Sequence, residues 1–337
     1  MNFLECLSKV MDRFLVCRPR YMGDILLTTP LLRYLKENVK NCFVTYLVED
    51  RYKDILVGNP CVDDILIIPK GLKQTLDFWK EIRKMNYSAA IDLFCNPRTA
   101  IIFKGLKAKK KIGYDVGLRG CVYDSKIKVS SDPSAIISHL SAVKNLEMEI
   151  KEYRTEFHFM DYEKEKLVSS EIKDKIRNRF VVGLYPGASW QSKIWHIDNF
   201  VELGRNLAET GVIILILYGI NDKNLAEYLK LEVGENAIMA PETNIRALAV
   251  YLSICNLVIG NDCGPMHLSV AVGTTTWAIF GAEDPSIWFP YSEPHEALAA
   301  DAECRPCNKT YCKKTICLDN LKADSIIMKF KEKFCNQ

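Results

Sequence analysis

Apolar positions along this chain fall into two patterns that alternate with each other. Short continuous runs read as strands, because a strand covered on both faces loses the in–out alternation of a half-exposed one. Stripes at helical spacing lie between them. Arg13–Arg18 (RFLVCR) is a strand-like run stopped by Pro19. A helix pattern follows over Gly23–Glu37, with Ile25, Leu26, Leu31, Leu32 and Leu35 as its apolar stripe. Cys42–Val48 and Ile65–Ile68 are the next strands, the second ended by Pro69. Leu72–Met85 reads as an amphipathic helix, Ala89–Phe94 as a strand and Ile136–Met148 as a helix. Strands separated by helices predict parallel βαβ units.

The pattern turns charged between about Tyr153 and Arg179, which predicts a connection holding one short helix. It is not a Gly/Ser linker, so the halves are joined without being floppy. The alternation then restarts. Phe180–Tyr185, Val212–Tyr218, Leu257–Ile259 and Thr275–Phe280 read as strands, the last closing a sheet. Ile197–Glu209, Asn224–Val233, Ile245–Ile254, Pro265–Val272 and Leu321–Phe334 read as helices. The fold class expected is therefore α/β, with two facing Rossmann-like domains and a central inter-domain cleft. The boundaries predicted are 1–165, 178–321 and a C-terminal helix over 322–337. Ligands of such sheets bind beyond the carboxyl ends of the strands. That places the chemistry after Arg18, Tyr185, Tyr218, Ile259 and Phe280, and the unusual local sequences fall at those places.

Composition adds limits. The 337 residues suffice for two α/β cores. A net charge of +3, from 45 Lys+Arg and 42 Asp+Glu, gives no reason to expect nucleic acid as a partner. Charge is concentrated locally, however: Lys104, Lys107, Lys109, Lys110, Lys111 and Arg119 crowd one stretch, offset only by Asp115. This is either a solvated loop or a patch facing anionic headgroups or a phosphorylated acceptor. No apolar run approaches the ~20 residues of a membrane span. Met1–Val16 contains Glu5 and Asp12 and lacks a signal-peptide core. A cytoplasmic protein is expected, with a peripheral position at the inner face of the membrane as a further reading.

Three loops carry candidate chemistry. In RPRYMGDILLTTP (Arg18–Pro30) a strand ends, Gly23 allows close backbone approach, and Asp24 opens a helix. Asp24 is either an acid complementing the helix dipole or a general base. In YPGASWQSKIW (Tyr185–Trp195) the small residues Gly187, Ala188 and Ser189 permit a backbone nest for phosphate. Lys193 is either an exposed loop lysine or the cation for a leaving diphosphate. In Ile259–Pro285, Asp262 ends a strand, Cys263 and Gly264 turn the chain, and Pro265 starts a helix. The amides at such a helix start form an anion site. His267, in the first turn, is either a core or capping histidine or a donor to a phosphate or sugar. The chain has neither GxxxxGK[ST] nor a GxGxxG after a strand, which argues against an NTPase and a dinucleotide-dependent oxidoreductase.

MGDILLTTP, YPGASWQSKIW and NDCGPMHLSVAVGTTTWAIFGAEDP together resemble the signature blocks of glycosyltransferase family 9, the ADP-heptose:lipopolysaccharide heptosyltransferases, in order and spacing. The resemblance implies the GT-B fold, with the acceptor bound mainly by the first domain and the nucleotide sugar mainly by the second. It implies an inverting, metal-independent transferase that moves a heptose or related sugar from ADP-heptose to a lipid-linked inner-core oligosaccharide. Asp24 matches the family's base; Gly23 and Arg18 match acceptor-side positions. Ser189 and Lys193 match contacts to the donor diphosphate, and Asp262 a contact to the donor sugar. Cys263, Gly264, Pro265 and His267 lie on the turn that holds the phosphates, and Asp222 is a weaker match to a ribose contact. Family members often carry Thr or Ser where this chain has Cys263. Alternatives are a member using another nucleotide sugar, a catalytically silent sugar-nucleotide or lipid-binding protein, or a redox protein built on cysteines.

Cys304, Cys307, Cys312 and Cys317 follow the spacing C-x2-C-x4-C-x4-C. Four such thiolates admit a structural zinc or an iron–sulfur cluster, and also disulfides or free thiols. None of these is required for the transfer chemistry. In GT-B relatives a last helix like 322–337 crosses back to the first domain.

Overall fold

The computed structural model describes residues 11–70, 72–128, 132–150 and 153–335. Glu5 and most of the N-terminal stretch read above lie outside them. The chain divides into two compact units, Met1–His158 and Phe159–Gln337.

The first unit is built on strands β1 (Asp12–Cys17), β2 (Cys42–Val48), β3 (Asp64–Ile67), β4 (Ala89–Asp92), β5 (Lys111–Tyr114) and β6 (Ser125–Ile127). They form one sheet in the order β3-β2-β1-β4-β5-β6, parallel throughout. The second unit repeats the plan with β7 (Val181–Tyr185), β8 (Ile213–Ile216), β9 (Ala237–Met239), β10 (Leu257–Asn261), β11 (Thr275–Ile279) and β12 (Glu296–Leu298). Its order is β9-β8-β7-β10-β11-β12, again all parallel. In both sheets the strand order reverses beside the first strand, at β1/β4 and at β7/β10. At that switch the flanking loops part and leave a crevice.

Four strands of these two sheets escaped the sequence reading: β5, β6, β9 and β12. Each has three or four residues (KIGY, SKI, AIM, EAL), too few for a periodicity to register. Thr275–Ile279 therefore does not close its sheet, since β12 pairs beyond it. The single helix expected over Gly23–Glu37 is two, α1 (Met22–Leu26) and α2 (Thr29–Asn38). Pro30 is the cause. It cannot donate to the Leu26 carbonyl and its ring would crowd it, and the Thr29 hydroxyl takes that carbonyl at 2.7 Å instead. The helices α3 (Leu72–Ile82) and α5 (Ala135–Lys144) were legible, whereas α4 (Pro97–Gly105) was not.

In the second unit α6 (Ile197–Glu209), α7 (Lys223–Val233), α8 (Ile245–Ser253) and α9 (Gly264–Ala271) match the expected stripes. The charged connection holds two short helices, Glu163–Lys166 and Ser170–Ile176, rather than one. Glu163 and Arg246 form a buried two-pronged ion pair within this unit. The last helix, α10 (Ala323–Phe334), was expected on the first domain. Its apolar face, Ile326, Ile327 and Phe330, lies instead in the core of the second unit. Phe330 meets Phe180 edge-on at 5.8 Å. Burial of this kind contributes about 1.5–3 kcal/mol per large side chain. No helix among the described residues is long and apolar enough to cross a membrane.

Candidate active site

In the first unit Arg18 follows the carboxyl end of β1. Its guanidinium pairs with Asp24 Oδ1, three residues into α1, and also donates to the Leu93 carbonyl beyond β4. It lies 5.0 Å from the Phe94 ring centre. Asp24 Oδ2 accepts the Tyr21 amide at 3.3 Å, which anchors the carboxylate to the start of its own helix. Both side chains keep 14% exposure, so Asp24 is partly covered but reachable. Gly23, buried in α1, precedes it.

Two features near this pair were not read from the sequence. Asp92, buried at the end of β4, accepts the amides of Phe94 and Cys95, both at 2.9 Å, and the Tyr123 hydroxyl at 2.8 Å. Burial raises its pKa against these hydrogen bonds. It fixes the loop whose Leu93 carbonyl holds Arg18. His139 on α5 contacts the Tyr114 hydroxyl through Nδ1 at 2.9 Å, and its buried Nε2 has no partner among the described residues. Burial and the Arg18 charge push its pKa well below the usual imidazole value. It is a neutral ring.

In the second unit the chain leaves β7 through Pro186 and Gly187 and makes a single 3₁₀ turn over Gln191–Lys193. Lys193 points back toward the sheet. Its ammonium pairs with Asp262 Oδ2 at 2.9 Å and with Glu283 Oε2, and stacks 4.7 Å from the Trp190 ring centre. The lysine and both acids are nearly buried, at 13%, 5% and 8% side-chain exposure. Burial alone would lower the lysine pKa, but Asp262 and Glu283 outweigh it and raise it. Burial raises Asp262; Lys193 opposes this and Glu283 adds to it. One cation therefore sits between two acids, with negative charge in excess. The open-loop reading of Lys193 does not survive this burial.

The turn after β10 leads into α9. Cys263 is its N-cap, Gly264 its first residue and Pro265 follows; no side chain caps this end. Such an end carries about +0.5 elementary charge. His267 is buried, and its Nδ1 lies 3.0 Å from the Tyr291 hydroxyl. Burial, with a contribution from Lys193, pushes its pKa down to about 3, so it can offer a hydrogen bond but no charge. The Cys263 thiol is pushed up by burial and stays protonated. Asp222 closes on the turn after β7: a Cβ on Gly187 would lie 2.1 Å from Asp222 Oδ2. Burial raises the Asp222 pKa, opposed by its hydrogen bond with the Gly219 backbone. Ser189 lies exposed on the same turn.

Three further residues organise this region. Asn261 at the end of β10 accepts the Trp195 amide at 3.0 Å and donates to the Pro186 carbonyl at 2.6 Å. It thereby ties the ends of the Pro186–Trp195 loop to the sheet. Glu283 is the second acid on Lys193. Gly281 admits the Ser192 carbonyl, which would lie 2.6 Å from a Cβ there. A carboxamide among apolar strand residues (LVIGN) was the one signal available for Asn261.

The spacing of the clustered cysteines admits a structural metal, disulfides or free thiols. Among the described residues no group of three or more His, Cys, Asp or Glu side chains is arranged to hold a metal ion. The described cysteines are free thiols. The Cys312 thiol donates to the Lys314 carbonyl at 3.0 Å, Cys317 is buried in the second core, and Cys304 is exposed. The segment acts through its backbone. The Cys307 and Asn308 amides donate to the Ala282 carbonyl at 2.9 and 3.0 Å. The Cys312 amide donates to Gln191 Oε1 at 3.0 Å, and the Ser192 hydroxyl donates to the Lys309 carbonyl. It straps together the two loops that carry Lys193 and Glu283.

The model of glycosyltransferase family 9 (heptosyltransferase) matches residues 75–317, a span that includes Lys193, Asp262 and His267 and leaves out Arg18 and Asp24. Lipopolysaccharide heptosyltransferase 1 of Campylobacter coli is 24% identical over 338 aligned positions, covering 95% of this chain and 98% of its own. The structure of a family 9 glycosyl transferase from Veillonella parvula DSM 2008 matches with a TM-score of 0.83 at 19% identity, over 96% of this chain and 97% of that one. The structure of Escherichia coli ADP-heptose LPS heptosyltransferase II matches with a TM-score of 0.79 at 16% identity, over 95% and 98%. The fold is thus that of the GT-B heptosyltransferase structures, and the chain belongs to glycosyltransferase family 9, the heptosyltransferases.

Proposed function

We propose that this enzyme transfers a heptose, or a closely related sugar, from ADP-heptose to the inner core of a lipopolysaccharide acceptor, with inversion at the anomeric carbon and with no metal in the transfer step. The observation that carries the reading is the pairing of chemistries at equivalent places in the two sheets. Beyond the first strand of one stands a reachable carboxylate. Beyond the first strand of the other stands a buried lysine, in the unit that also carries an uncapped helix start. An acyl-type nucleophile is not required: a sugar hydroxyl attacks, and the diphosphate leaves.

Asp24 is the base. It takes the proton of the attacking hydroxyl as the new glycosidic bond forms and the bond to the diphosphate breaks. Arg18 holds that carboxylate in place and offers its remaining donors to an acidic acceptor sugar; Gly23 lets the acceptor approach. Charge that develops on the leaving diphosphate is met by Lys193 and by the first amides of α9, with Ser189 and His267 as uncharged donors. Cys263 contributes its backbone rather than a hydroxyl. Asp262 contacts the donor sugar, and Asp222 the ribose. The reaction belongs at the cytoplasmic face, where a nucleotide sugar and a lipid-carried acceptor can meet.

The test is to incubate the purified enzyme with ADP-heptose and a deacylated inner-core acceptor, wild type beside Asp24→Ala, and to measure ADP release and the mass of the product. A heptose-extended product with turnover falling ~10²–10⁴-fold in the variant is expected. Undiminished turnover in Asp24→Ala would remove the base. Turnover only with a different nucleotide sugar would keep the mechanism and replace the donor.

A further inference from the structure

The outer face of α4 and the neighbouring 3₁₀ turn Gly117–Val122 has no role in the chemistry above. These two elements pack against each other. Ile102 and Phe103 point inward from α4, where Phe103 meets Tyr123 edge-on at 6.1 Å. Ile101 and Lys104, three apart and so on one helix face, point outward. Ile101 is 62% exposed, and Leu118, on the turn, is 96% exposed. Two large aliphatic side chains held in water by one ordered corner are unfavourable for the isolated protein.

The charges around them share one sign. Lys104, Lys107, Lys109 and Arg119 are exposed, and among the described residues none has a carboxylate partner. The two nearby acids are engaged elsewhere: Asp115 pairs with Lys126 at 2.9 Å, and Asp124 accepts the Lys111 amide at 2.8 Å. An apolar tip ringed by unpaired cations has the chemistry of a surface that meets anionic lipid: aliphatic groups enter the headgroup boundary while lysine and arginine face phosphates. Nucleic acid would leave the aliphatic pair uncovered. An acidic protein would match the charge, but nothing here selects one.

We propose that this corner of the first unit docks the enzyme on an anionic bilayer, with Ile101 and Leu118 inserted and Lys104, Lys107, Lys109 and Arg119 against the headgroups. The inference deepens the reading that the acceptor is lipid-carried, yet it does not depend on the donor. Its test therefore uses no sugar substrate. Binding of the full chain to vesicles of neutral phosphatidylcholine, and to vesicles also containing phosphatidylglycerol, is measured by co-sedimentation.

Wild type should prefer the anionic vesicles, and added salt should weaken the binding. Lys104→Glu/Arg119→Glu should lose about tenfold or more of the anionic binding. Ile101→Ser/Leu118→Ser should weaken it while leaving net charge unchanged. Lys322→Glu/Lys331→Glu, on exposed lysines of the second unit, carries the same charge change and should bind as wild type does. All three variants should keep wild-type turnover on a deacylated, soluble acceptor, which shows that they fold. Equal binding to both vesicle types, or equal loss in the two charge-reversal variants, would overturn the proposal. Failure of sugar transfer alongside intact vesicle preference would strike the transferase reading and leave this one standing.

Discussion

The two units share a strand order and differ in what stands beyond the first strand. In the first, Arg18 and Asp24 are six residues apart, joined by a local turn and a short helix, with 14% of each side chain exposed. In the second, Lys193, 13% exposed, meets Glu283 across ninety residues, with Asp262 as a third member, and the two acids are the more deeply buried, at 8% and 5%. Taking such charges out of water costs several kcal/mol for each ion, and pairing alone does not guarantee recovery of that cost. A buried cation flanked by two acids is a poor way to stabilise a fold. It is a good way to hold a cation in readiness for an incoming anion that will compete for it. The first site is thus a locally assembled, partly covered acid, which in the proposed reaction needs only a hydroxyl. The second is a preformed charge cluster, which in the proposed reaction must redistribute when a diphosphate arrives.

The largest break in this comparison should come from Lys193→Ala. On the proposed reading it removes the counter-charge for the leaving group, and it leaves two buried acids facing each other. Turnover should fall ~10²–10³-fold, the size seen when one preorganised donor to developing charge is lost. Steady-state ADP release measures it. A fall of less than fivefold would mean that the lysine only holds the loop.

A smaller effect should follow pH. The Asp262 pKa is raised in the folded protein, so the carboxyl takes up a proton at a pH where an exposed aspartate would stay ionised. Below that pKa a diphosphate bound as proposed meets one negative charge fewer. The donor KM should therefore fall as pH drops through the range between neutrality and the ordinary aspartate value. Asp262→Asn should flatten that dependence. The same shift has a stability consequence: a raised carboxyl favours the folded state at low pH, and this contribution is lost as pH rises through its folded pKa. Thermal melts of wild type and Asp262→Asn across pH should converge at acid pH. Melts that diverge on acidification would reverse the assigned sign.

Gly187→Ala should have the mildest effect. A Cβ would lie 2.1 Å from Asp222 Oδ2, so that carboxylate must swing away. The far end of a side chain can move at small cost, so the fold should persist with a Tm close to wild type. The donor KM should rise several-fold with little change in kcat. An unchanged KM would separate Asp222 from the nucleotide.

How far sequence alone reached follows the same division. Arg18, Gly23 and Asp24 fit in one short window, and so do Asp262 through His267; motifs of that length are legible because local chain geometry assembles them. Glu283 was not legible as a partner of Lys193, because FGAEDP reads as an ordinary loop until β10 and β11 bring its acid beside the turn after β7. Asn261 and Asp92 were missed for a related reason: their work is to pin loops, and only the folded backbone shows which amides they hold. The strands of three or four residues were lost below the reach of periodicity, which is why two sheets of six read as sheets of four. The cysteine spacing leaves metal, disulfides and free thiols open, and only the fold shows that the segment is also a backbone strap, with Cys312 turned to a carbonyl and Cys317 to the core.

The most direct test of the division of labour is to measure ADP affinity by calorimetry and turnover by ADP release on the same preparations of wild type, Asp24→Asn and Lys193→Ala. The account predicts that Asp24→Asn binds ADP as wild type does but scarcely turns over, while Lys193→Ala loses both affinity and turnover. Loss of ADP affinity in Asp24→Asn, or wild-type affinity in Lys193→Ala, would contradict it.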